Sequence, residues 1–421
     1  MNQRPIFIDE AVQMILQHVC SAGAHLLNLP ETEGHILAED LYASTDVPHF
    51  SKSMMDGFAI RSEDVQDASF SSPVTLKVID EVMAGEVSSC RLQPGEAIRI
   101  MTGAPIPAGA DAVCRFEQTR DGFKQNIREV AILTPVRAGE SISFCGEDIQ
   151  KGQLLLSEGS QIGPSEASIL ATFGIADVPV FKKPRVGIVS TGSELVDYRS
   201  TAEEVSDGKL RNSNSILVSQ LIQQHGGIPR IYPYVSDDPE ALQERLRSML
   251  EREDIVVFTG GVSVGDKDYI PHICRETGVD IKFWKVMIRP GQPAMFGVFG
   301  KRLVFGLSGN PAACFINALL FLVPAIRAMN GRKGDQVTLP ALTARLIGDV
   351  GQKPVKHTRF LRGNVFLDEG QLFVDIQRAQ SSAIMSSFLG TNCLVRIDSD
   401  HIPKHGELVS IYQYGLIGKP V

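Results

Sequence analysis

The stretch IVVFTGGVSVGDKDY, residues 255–269, decides the fold, because four apolar residues run into a loop rich in glycine and hydroxyl groups. The same arrangement occurs in VGIVSTGSEL at 186–195 and in RLVFGLSGNP at 302–311. Helical patterns at 215–225 and 239–250, with a strand pattern at 228–235, fill the interval between the first two runs. This alternation predicts a parallel sheet with helices on both faces, a three-layer α/β domain over residues 183–330.

Cap residues and spacing add local predictions. Asp238 before Pro239 and Asn310 before Pro311 each place a capping side chain ahead of a proline at the first helical position. A helix is also predicted from residue 7 to residue 23, with Asp9 as its N-cap. Lys285 and Arg289, four residues apart, are expected on one strand with both side chains on the same face.

The flanking sequence has a different pattern. Residues 51–148 carry short alternating runs split by glycine, proline and Asp-Gly turns, which predicts a small inserted β domain. Residues 149–180 combine a short strand with a helix over 165–173 closed by Gly174, a segment expected to pair with the N-terminal helix. From residue 337 onward ALTARLI, QLFVDI, CLVRID and ELVSIY, with little helix beyond 383–389, predict a C-terminal β-barrel. The expected domains are 1–46 with 149–182, 47–148, 183–330 and 335–421.

Length, charge and cysteine usage exclude several classes of protein. At roughly 150 residues per domain, 421 residues predict two to four domains. The net charge of −8 disfavours binding to nucleic acid or to an anionic membrane. An odd number of dispersed cysteines without a CxxC pair argues against disulfides and zinc sites. The N-terminus lacks a signal-peptide pattern, and the most apolar stretch, 312–329, is interrupted by polar residues and proline, so we expect a cytoplasmic protein without a membrane span.

Three loops carry the predicted chemistry, since ligands of parallel α/β sheets gather at the carboxyl ends of the strands. Each combines glycine with a hydroxyl, which allows backbone N–H groups and a helix N-terminus to hold phosphate without basic side chains. Any one of them could equally be a tight turn. The residues concerned are Thr191, Gly192, Ser193, Gly260, Gly261, Ser263, Gly265, Ser308, Gly309 and Asn310.

Carboxylates accompany these loops, namely Glu194, Asp237, Asp238, Asp266 and Asp268. Asp238 is expected to cap its helix, which leaves Asp237 free. Acids beside a phosphate site would repel the ligand unless a divalent cation lay between them, so we expect Mg²⁺. Each acid taken alone is as compatible with a solvated surface group.

A competing motif lies in the same loop. Residues 261–265, GVSVG, match the G-x-S-x-G nucleophile elbow of α/β-hydrolases. An elbow needs a helix that begins at the serine, whereas Gly265 and the three residues after it prolong the loop, and the helix is predicted to start near Tyr269. Triad order would also require an acid and then a histidine well downstream, whereas Asp268 and His272 lie close to the motif, so the hydrolase interpretation is disfavoured and His272 is interpreted as structural.

Six segments together resemble the MoeA family, the molybdopterin molybdenumtransferases that include the E domain of gephyrin: SMMDGFA (53–59), IMTGAPIPAGADAV (100–113), STGSEL (190–195), TGGVSVGDKDY (259–269), WKVMIRPGQP (284–293) and GLSGNPAAC (306–314). The resemblance covers nearly the whole chain in the family's order. It implies Mg²⁺-assisted insertion of molybdenum from molybdate into adenylylated molybdopterin with release of AMP. It also implies a homodimer with a shared active site, and leaves room for other proteins of the pathway as partners.

The resemblance further implies roles for individual residues. Asp56 and Thr102 would face the site from the inserted domain, although both sequences alone are typical of turns. Glu194, Asp237 and Asp268 would line the site and hold Mg²⁺, while Lys285 and Arg289 would stabilise developing charge. Pro290 and Gly291 would contribute to binding molybdopterin.

This chain departs from the family pattern in several places. Arg289 and Gln292 replace lysines, SFC at 143–145 stands where arginines are common, Asn212 replaces Asp, and Ser308 replaces the proline of PGNP. These changes leave the choice between molybdate and tungstate open. A non-catalytic scaffold on the same fold and a molybdopterin adenylyltransferase are the alternative functions. The retained acids disfavour the scaffold, and the flanking domains disfavour the adenylyltransferase.

Overall fold

The computed structural model describes residues 5–263, 268–350 and 354–418. The chain forms two compact units, one of Met1–Glu39, Glu158–Ala167 and Ala176–Val421, the other of Asp40–Ser157 and Ser168–Ile175. The predicted α/β multidomain class is confirmed, with an α/β sheet, a separate β unit and a barrel. The finer boundaries at residues 46, 148, 182 and 330 remain a prediction.

The first helix is shorter than predicted. Helix α1 spans Ile8–Gln17, and Phe7 is its N-cap residue, without a side-chain hydrogen bond. Asp9 therefore lies in the first turn, where its charge complements the helix dipole, and not at the cap. The helix ends near His18, whose Nδ1 lies 2.8 Å from the Met14 carbonyl oxygen and competes for that end of the helix. The expectations of a helix to residue 23 and of an Asp9 cap are thus wrong.

Strand pairing joins the N-terminal segment to the segment that follows the β unit. Strand β1, Ala24–Asn28, pairs antiparallel with residues 177–181. Helix α1 instead buries Ile8, Ala11 and Ile15 in the hydrophobic core beneath the central sheet. The expected pairing of these two segments is therefore made by β1 and not by the N-terminal helix.

The inserted unit is all β, as predicted. Its six-stranded sheet has the order β7-β4-β6-β5-β9-β8. Alternating apolar residues such as Phe58, Ile60 and Val130 fill the core on one side of this sheet. The strands are β2 Leu41–Tyr42, β3 Lys52–Ser53, β4 Gly57–Ile60, β5 Val74–Val82, β6 Glu96–Ile100, β7 Ala112–Arg115, β8 Thr119–Arg120, β9 Glu129–Ile132, β10 Ile142–Ser143 and β11 Leu154–Leu156.

Helix α2, Pro164–Thr172, and strand β12, Asp177–Phe181, lead into the central α/β sheet. The elements that follow are β13 Arg185–Ser190, β14 Leu195–Val196, β15 Leu210–Arg211, α3 Asn214–Gln224, β16 Ile228–Ile231, α4 Pro239–Arg252, β17 Ile255–Thr259, α5 Ile270–Glu276, β18 Asp280–Trp284, β19 Ile288–Arg289, β20 Met295–Phe299, β21 Arg302–Leu307, α6 Pro311–Asn317 and α7 Val323–Met329.

The central sheet has the order β16-β13-β17-β21-β20-β18, and its first four strands are parallel. Strand β20 is antiparallel to both of its neighbours, which the sequence did not predict. Every residue of β17 is buried, as is typical of a strand covered on both faces. Helices α1, α3, α6 and α7 pack on one face, and α4 and α5 on the other.

The most apolar helix lies in the core. Residues Pro311–Met329 are long and apolar enough to cross a membrane, but 89% of this stretch is buried inside the protein. A π-helical turn over Ala318–Leu322 joins α6 to α7. Burial of this kind is expected of a core helix, in agreement with the sequence prediction.

The C-terminal strands close into a barrel. Strands β23, β24, β22, β26 and β25 pair in that order, and β25 returns to pair with β23. Short β19 adds parallel to β23 from the α/β sequence. The helix expected at 383–389 is a short 3₁₀ turn, Met385–Phe388. The strands are β22 Ala341–Ile347, β23 Thr358–Asp368, β24 Gln371–Ile376, β25 Cys393–Ile397 and β26 Leu408–Gln413.

Candidate active site

Three loops that follow adjacent parallel strands open into one cleft of about 470 Å³. They leave β13, β17 and β21, which are neighbours in the sheet, so their carboxyl ends lie side by side. Sequence-predicted residues that line the cleft are Thr191, Gly192, Glu194, Asp237, Gly260, Gly261, Ser263, Asp268, Ser308, Gly309 and Asn310. Gly265 lies outside the described residues.

Glycine is required where the first two loops touch. Gly260 has φ +96°, and a Cβ there would lie 2.5 Å from the carbonyl oxygen of Thr191. A Cβ on Gly309 would lie 3.4 Å from the Cα of Gly260, so the third loop also packs against the second. Backbone groups can therefore approach a ligand here more closely than a chain with side chains would allow.

Asp237 holds the first loop in place through three hydrogen bonds, an arrangement that we call the Asp237 brace. Its Oδ1 accepts a hydrogen bond from the Thr191 hydroxyl at 3.0 Å, and its Oδ2 accepts from the Ser193 hydroxyl at 3.0 Å and the Ser193 N–H at 3.3 Å. Asp238 caps α4 by accepting from the N–H groups of Glu240 and Ala241, as predicted. The expectation that Asp237 is free is wrong, because three donors of its own protein already use its carboxylate.

Glu194 and Asp268 are the other acids on the cleft. The Glu194 carboxylate folds back over its own loop, so that a Cβ on Gly192 would lie 2.5 Å from Oε1. Within the described ranges, no three His, Cys, Asp or Glu side chains lie close enough together to hold a metal ion. A cation here would therefore need ligands from substrate or water as well as from the protein.

A polar network beneath the cleft was missed by the sequence analysis. The Ser190 hydroxyl lies 2.7 Å from the Thr259 hydroxyl and donates to Asn212 Oδ1 at 3.1 Å, which links β13 to β17 and to the start of α3. Asn214 donates from Nδ2 to the Gly309 carbonyl at 2.8 Å. Its Oδ1 is buried without a hydrogen-bond partner among the described residues. The only sequence signal was two asparagines directly before an apolar helical pattern.

The segment with Lys285 and Arg289 differs from its prediction. Lys285 has φ +89° and stands between β18 and β19, so the two residues do not share a strand. The Lys285 ammonium lies 5.3 Å from the centre of the Trp284 ring, whose indole N–H donates to the Val262 carbonyl at 2.6 Å. Of the described residues in this segment, Pro293 lines the cleft and Lys285 does not. Arg289, Pro290 and Gly291 are likewise outside its lining, as is Ser193 of the first loop.

Asp56 and Thr102 meet in the second compact unit. Asp56 Oδ1 accepts from both the N–H and the hydroxyl of Thr102, each at 2.8 Å. These two hydrogen bonds, the backbone one first, lower the pKa of Asp56 below its usual value. This geometry is typical of a turn, and the role facing the active site that the family resemblance implies for both residues stays a prediction.

The hydrolase interpretation fails on the helix position. Helix α5 begins at Ile270 with Tyr269 as its N-cap residue, well beyond Ser263, as the loop length predicted. His272 is exposed and lies 3.6 Å from Glu276 on the same helix. All seven cysteines are unpaired, in line with the expected absence of disulfides.

Family models match the N-terminal, central and C-terminal regions of this chain. Residues 6–174 match the MoeA N-terminal region (domain I and II), 187–328 a probable molybdopterin binding domain, and 350–414 the MoeA C-terminal region (domain IV). The molybdopterin molybdenumtransferase of Staphylococcus aureus (strain COL) is 39% identical to this chain, over 94% of this chain and 92% of the relative. That of Bacillus subtilis (strain 168) is 37% identical, over 94% of this chain and 90% of the relative.

A solved structure gives the same result. The molybdopterin biosynthesis MoeA protein from Pyrococcus horikoshii is 31% identical, with a TM-score of 0.85 over 98% of this chain and 100% of that one. The shared fold supports the loop positions described above. With family matches in all three regions and relatives of this identity over nearly its full length, the chain belongs to the MoeA family.

Proposed function

We propose that this chain is a molybdopterin molybdenumtransferase of molybdenum cofactor synthesis, which inserts molybdenum from molybdate into adenylylated molybdopterin and releases AMP. The observation that carries the proposal is the single cleft shared by three glycine and hydroxyl loops, with carboxylates on its wall. The named activity of the curated relatives supports it. A volume of about 470 Å³ suits a ligand of nucleotide size.

Backbone groups would bind the phosphates. The Gly260 N–H donates to the Leu307 carbonyl at 3.0 Å, so the phosphates would be bound by other main-chain N–H groups of the three loops, which glycine allows a ligand to approach closely. Ser213 and Asn214, at the start of α3, also line the cleft and add the positive end of a helix dipole. This arrangement allows a chain of net charge −8 to bind a polyanion.

The donor set of the cleft fits Mg²⁺. This ion prefers oxygen ligands and is usually held by one or two carboxylates together with substrate phosphates and water. Glu194 and Asp268 line the cleft and would supply carboxylates, and the Asp237 carboxylate accepts three hydrogen bonds from the first loop. When bound, the ion would neutralise charge on the phosphoanhydride oxygens during cleavage.

The remaining assignments follow from family membership alone. Lys285 and Arg289 would stabilise the departing AMP, Pro290 and Gly291 would contact molybdopterin, and Gly265 would extend the second loop. Asp56 and Thr102 would complete a site shared within a homodimer. Sedimentation of the purified chain tests the dimer: a mass near twice 45.9 kDa is expected, and a monomer at micromolar concentration would contradict it. A cytoplasmic location and further partners from the same pathway are part of the proposal.

The decisive experiment mixes purified protein with adenylylated molybdopterin, Mg²⁺ and molybdate and follows AMP by chromatography. We expect AMP release that requires both molybdate and the divalent ion. Asp268→Asn should abolish release because a neutral amide is a poor ligand for Mg²⁺. Asp335→Asn, an equal change of charge at an exposed carboxylate in another loop, should leave the rate unchanged.

The outcomes separate the alternatives. AMP release without molybdate would indicate hydrolysis and not metal insertion. Formation of adenylylated molybdopterin from ATP and molybdopterin would indicate the adenylyltransferase. Binding of the substrate without any turnover would favour the scaffold. Full activity in Asp268→Asn would refute the site assignment.

A further inference from the structure

A second cavity lies at the opposite edge of the central sheet from the cleft. It has a volume of about 530 Å³ and is lined by Arg185, Ile228 and Asp254, which stand at the amino ends of β13, β16 and β17. The cleft is at the carboxyl ends of the same strands. Since β13 has six residues at about 3.3 Å each, the two sites are about 20 Å apart. We call this second site the basic cavity.

The basic cavity concentrates positive charge in an acidic protein. Lys182, Lys183, Arg185 and His25 line it, with Asp254 as its one acid. Asp254 is already engaged, since its Oδ2 accepts from the Arg185 backbone N–H at 2.9 Å and lies 3.5 Å from the guanidinium Nε. Among the residues that the structure describes, neither Lys182 nor Lys183 forms an ion pair. Like charges held together in this way favour a bound anion.

An adjoining pocket supplies a second, independent observation. It shares His35 and Lys183 with the basic cavity and is also lined by His225, Asn330 and Arg332. His225 and Asn330 are 93% and 95% buried, yet His225 Nε2 and Asn330 Oδ1 have no hydrogen-bond partner within the described parts of the chain. Buried polar atoms are nearly always satisfied, so these two atoms require a partner such as a bound water or a ligand.

The tautomer of His225 follows from its neighbour. Arg327 Nη2 lies 3.3 Å from His225 Nδ1, and because a guanidinium can only donate, Nδ1 accepts and Nε2 carries the proton. The Nε2–H donor is therefore buried beside the pocket without a partner among the described residues. Burial first, and then Arg327 and Arg332, lower the pKa of His225 to about 3, and burial and Lys183 lower that of His35. Both shifts agree with a positive potential in this region.

We propose that the basic cavity is an anion site that binds a multiply charged phosphate group, either free or carried on a small molecule. Lys182, Lys183 and Arg185 would contact the phosphate oxygens. The volume is large enough for a nucleotide. The site is separate from the cleft, so it stands whether or not the proposed transferase activity does.

Lysine labelling of the full chain tests the site directly. The protein is pulsed with acetic anhydride with and without inorganic pyrophosphate, and acetylation is measured at each lysine by mass spectrometry. Pyrophosphate should protect Lys182 and Lys183 several-fold and leave the exposed Lys356 and Lys404 unchanged. Equal labelling of all four lysines with and without the probe would overturn the proposal.

Calorimetry with matched variants gives a second measurement. Lys182→Gln/Lys183→Gln should weaken pyrophosphate binding about tenfold or more, since two charge-assisted contacts are lost. Lys356→Gln/Lys404→Gln removes the same charge elsewhere and should bind like the wild type. Wild-type affinity in the first variant, with an unchanged melting curve, would refute the site. Repeating the labelling with AMP identifies the source of the phosphate. If AMP protects the two lysines at a lower concentration than pyrophosphate does, the ligand is an organic phosphate. If AMP protects them more weakly, the ligand is the free anion.

Discussion

Replacing Asp237 by alanine removes three hydrogen bonds that hold the loop after β13. Two come from hydroxyl groups at 3.0 Å and one from a backbone N–H at 3.3 Å. A hydrogen bond to a charged group contributes about 1.5–3 kcal/mol when buried, but Asp237 is half-buried and water would replace part of each bond. We therefore expect Asp237→Ala to lower the free energy of unfolding by about 2 kcal/mol in total.

A double-mutant cycle isolates one of these bonds. Thr191→Val removes the hydroxyl of a buried residue with little change of shape, so its coupling to Asp237→Ala should be about 1 kcal/mol. Urea unfolding followed by tryptophan fluorescence suits the purpose, because Trp284 is the only tryptophan and its indole contacts the Val262 carbonyl beside the cleft. The signal therefore reports on the α/β domain in a chain of several domains.

Two results would refute the reasoning. A coupling below about 0.3 kcal/mol would mean that the Thr191 bond contributes nothing measurable, although the two groups are within hydrogen-bond distance. Wild-type stability of Asp237→Ala combined with loss of AMP release would show that the carboxylate serves the substrate or a metal and not the loop. The first outcome would contradict the stabilising effect of the Asp237 hydrogen bonds. The second would support the role in holding a metal that the sequence analysis expected for Asp237.

Three further predictions use the same stability assay or a titration. Gly260→Ala should lower the free energy of unfolding by about 2–3 kcal/mol, through positive φ and a steric clash, whereas Gly208→Ala, also at positive φ but in open space, should cost about 1 kcal/mol. His225 stays neutral in the folded protein. Its contribution to the free energy of unfolding is therefore complete above the unfolded pKa near 6.5 and is lost as the pH falls towards 3. His225→Gln should reduce the loss of stability between pH 7.5 and pH 5.5, measured by urea unfolding. Thr102→Val should raise the pKa of Asp56 towards its usual value, which carbon NMR measures. The pH range below that usual pKa in which the carboxylate stays ionised and stabilises the fold should become narrower. An unchanged pKa would contradict the contribution of the Thr102 hydroxyl to the lowered pKa of Asp56.

The meeting of the three loops could be predicted because it depends on sheet geometry alone. Parallel strands place their carboxyl ends at one edge, and β13, β17 and β21 are adjacent. The brace at Asp237 could not be predicted, because its donors, Thr191 and Ser193, are 46 and 44 residues away in sequence. A carboxylate beside a cleft has the same sequence signature whether it faces the ligand or its own loop.

The segment after β18 shows how a periodicity argument fails. The prediction that Lys285 and Arg289 share a face assumed one continuous strand, but the backbone turns at Lys285 with φ +89°. Ile288 and Arg289 then pair with β23 of the barrel and not with the central sheet. Nothing in the local pattern indicates which sheet a two-residue strand will join, since that choice is made by long-range pairing.

Buried charge concealed the longest strand of the barrel. Strand β23 contains Arg359 and Arg362, and Arg362 has no exposed surface. Arg362 lies on the strand face opposite the barrel-core residues Leu361 and Val365, where its guanidinium donates to the carbonyls of Ala379 and Ser381 and lies 5.8 Å from the centre of the Phe388 ring. Because the two arginines interrupt the apolar pattern of residues 358–368, the sequence did not indicate a strand there. The sequence therefore predicted that the C-terminal strands form a barrel, but it missed β23, which closes the barrel by pairing with β25.

The brace at Asp237 also bears on the charge balance of the cleft. Three free acids would carry a charge of −3, more than one divalent cation can neutralise. Three donors of the protein share the Asp237 carboxylate, so hydrogen bonds already stabilise part of this charge before any cation binds. Arg211 also lines the cleft, and its positive charge together with one Mg²⁺ would balance the three carboxylates before a phosphate binds. The hydrogen bonds to Asp237, the Arg211 guanidinium and a bound cation would together allow an acidic protein to use this edge of its sheet for a polyanion.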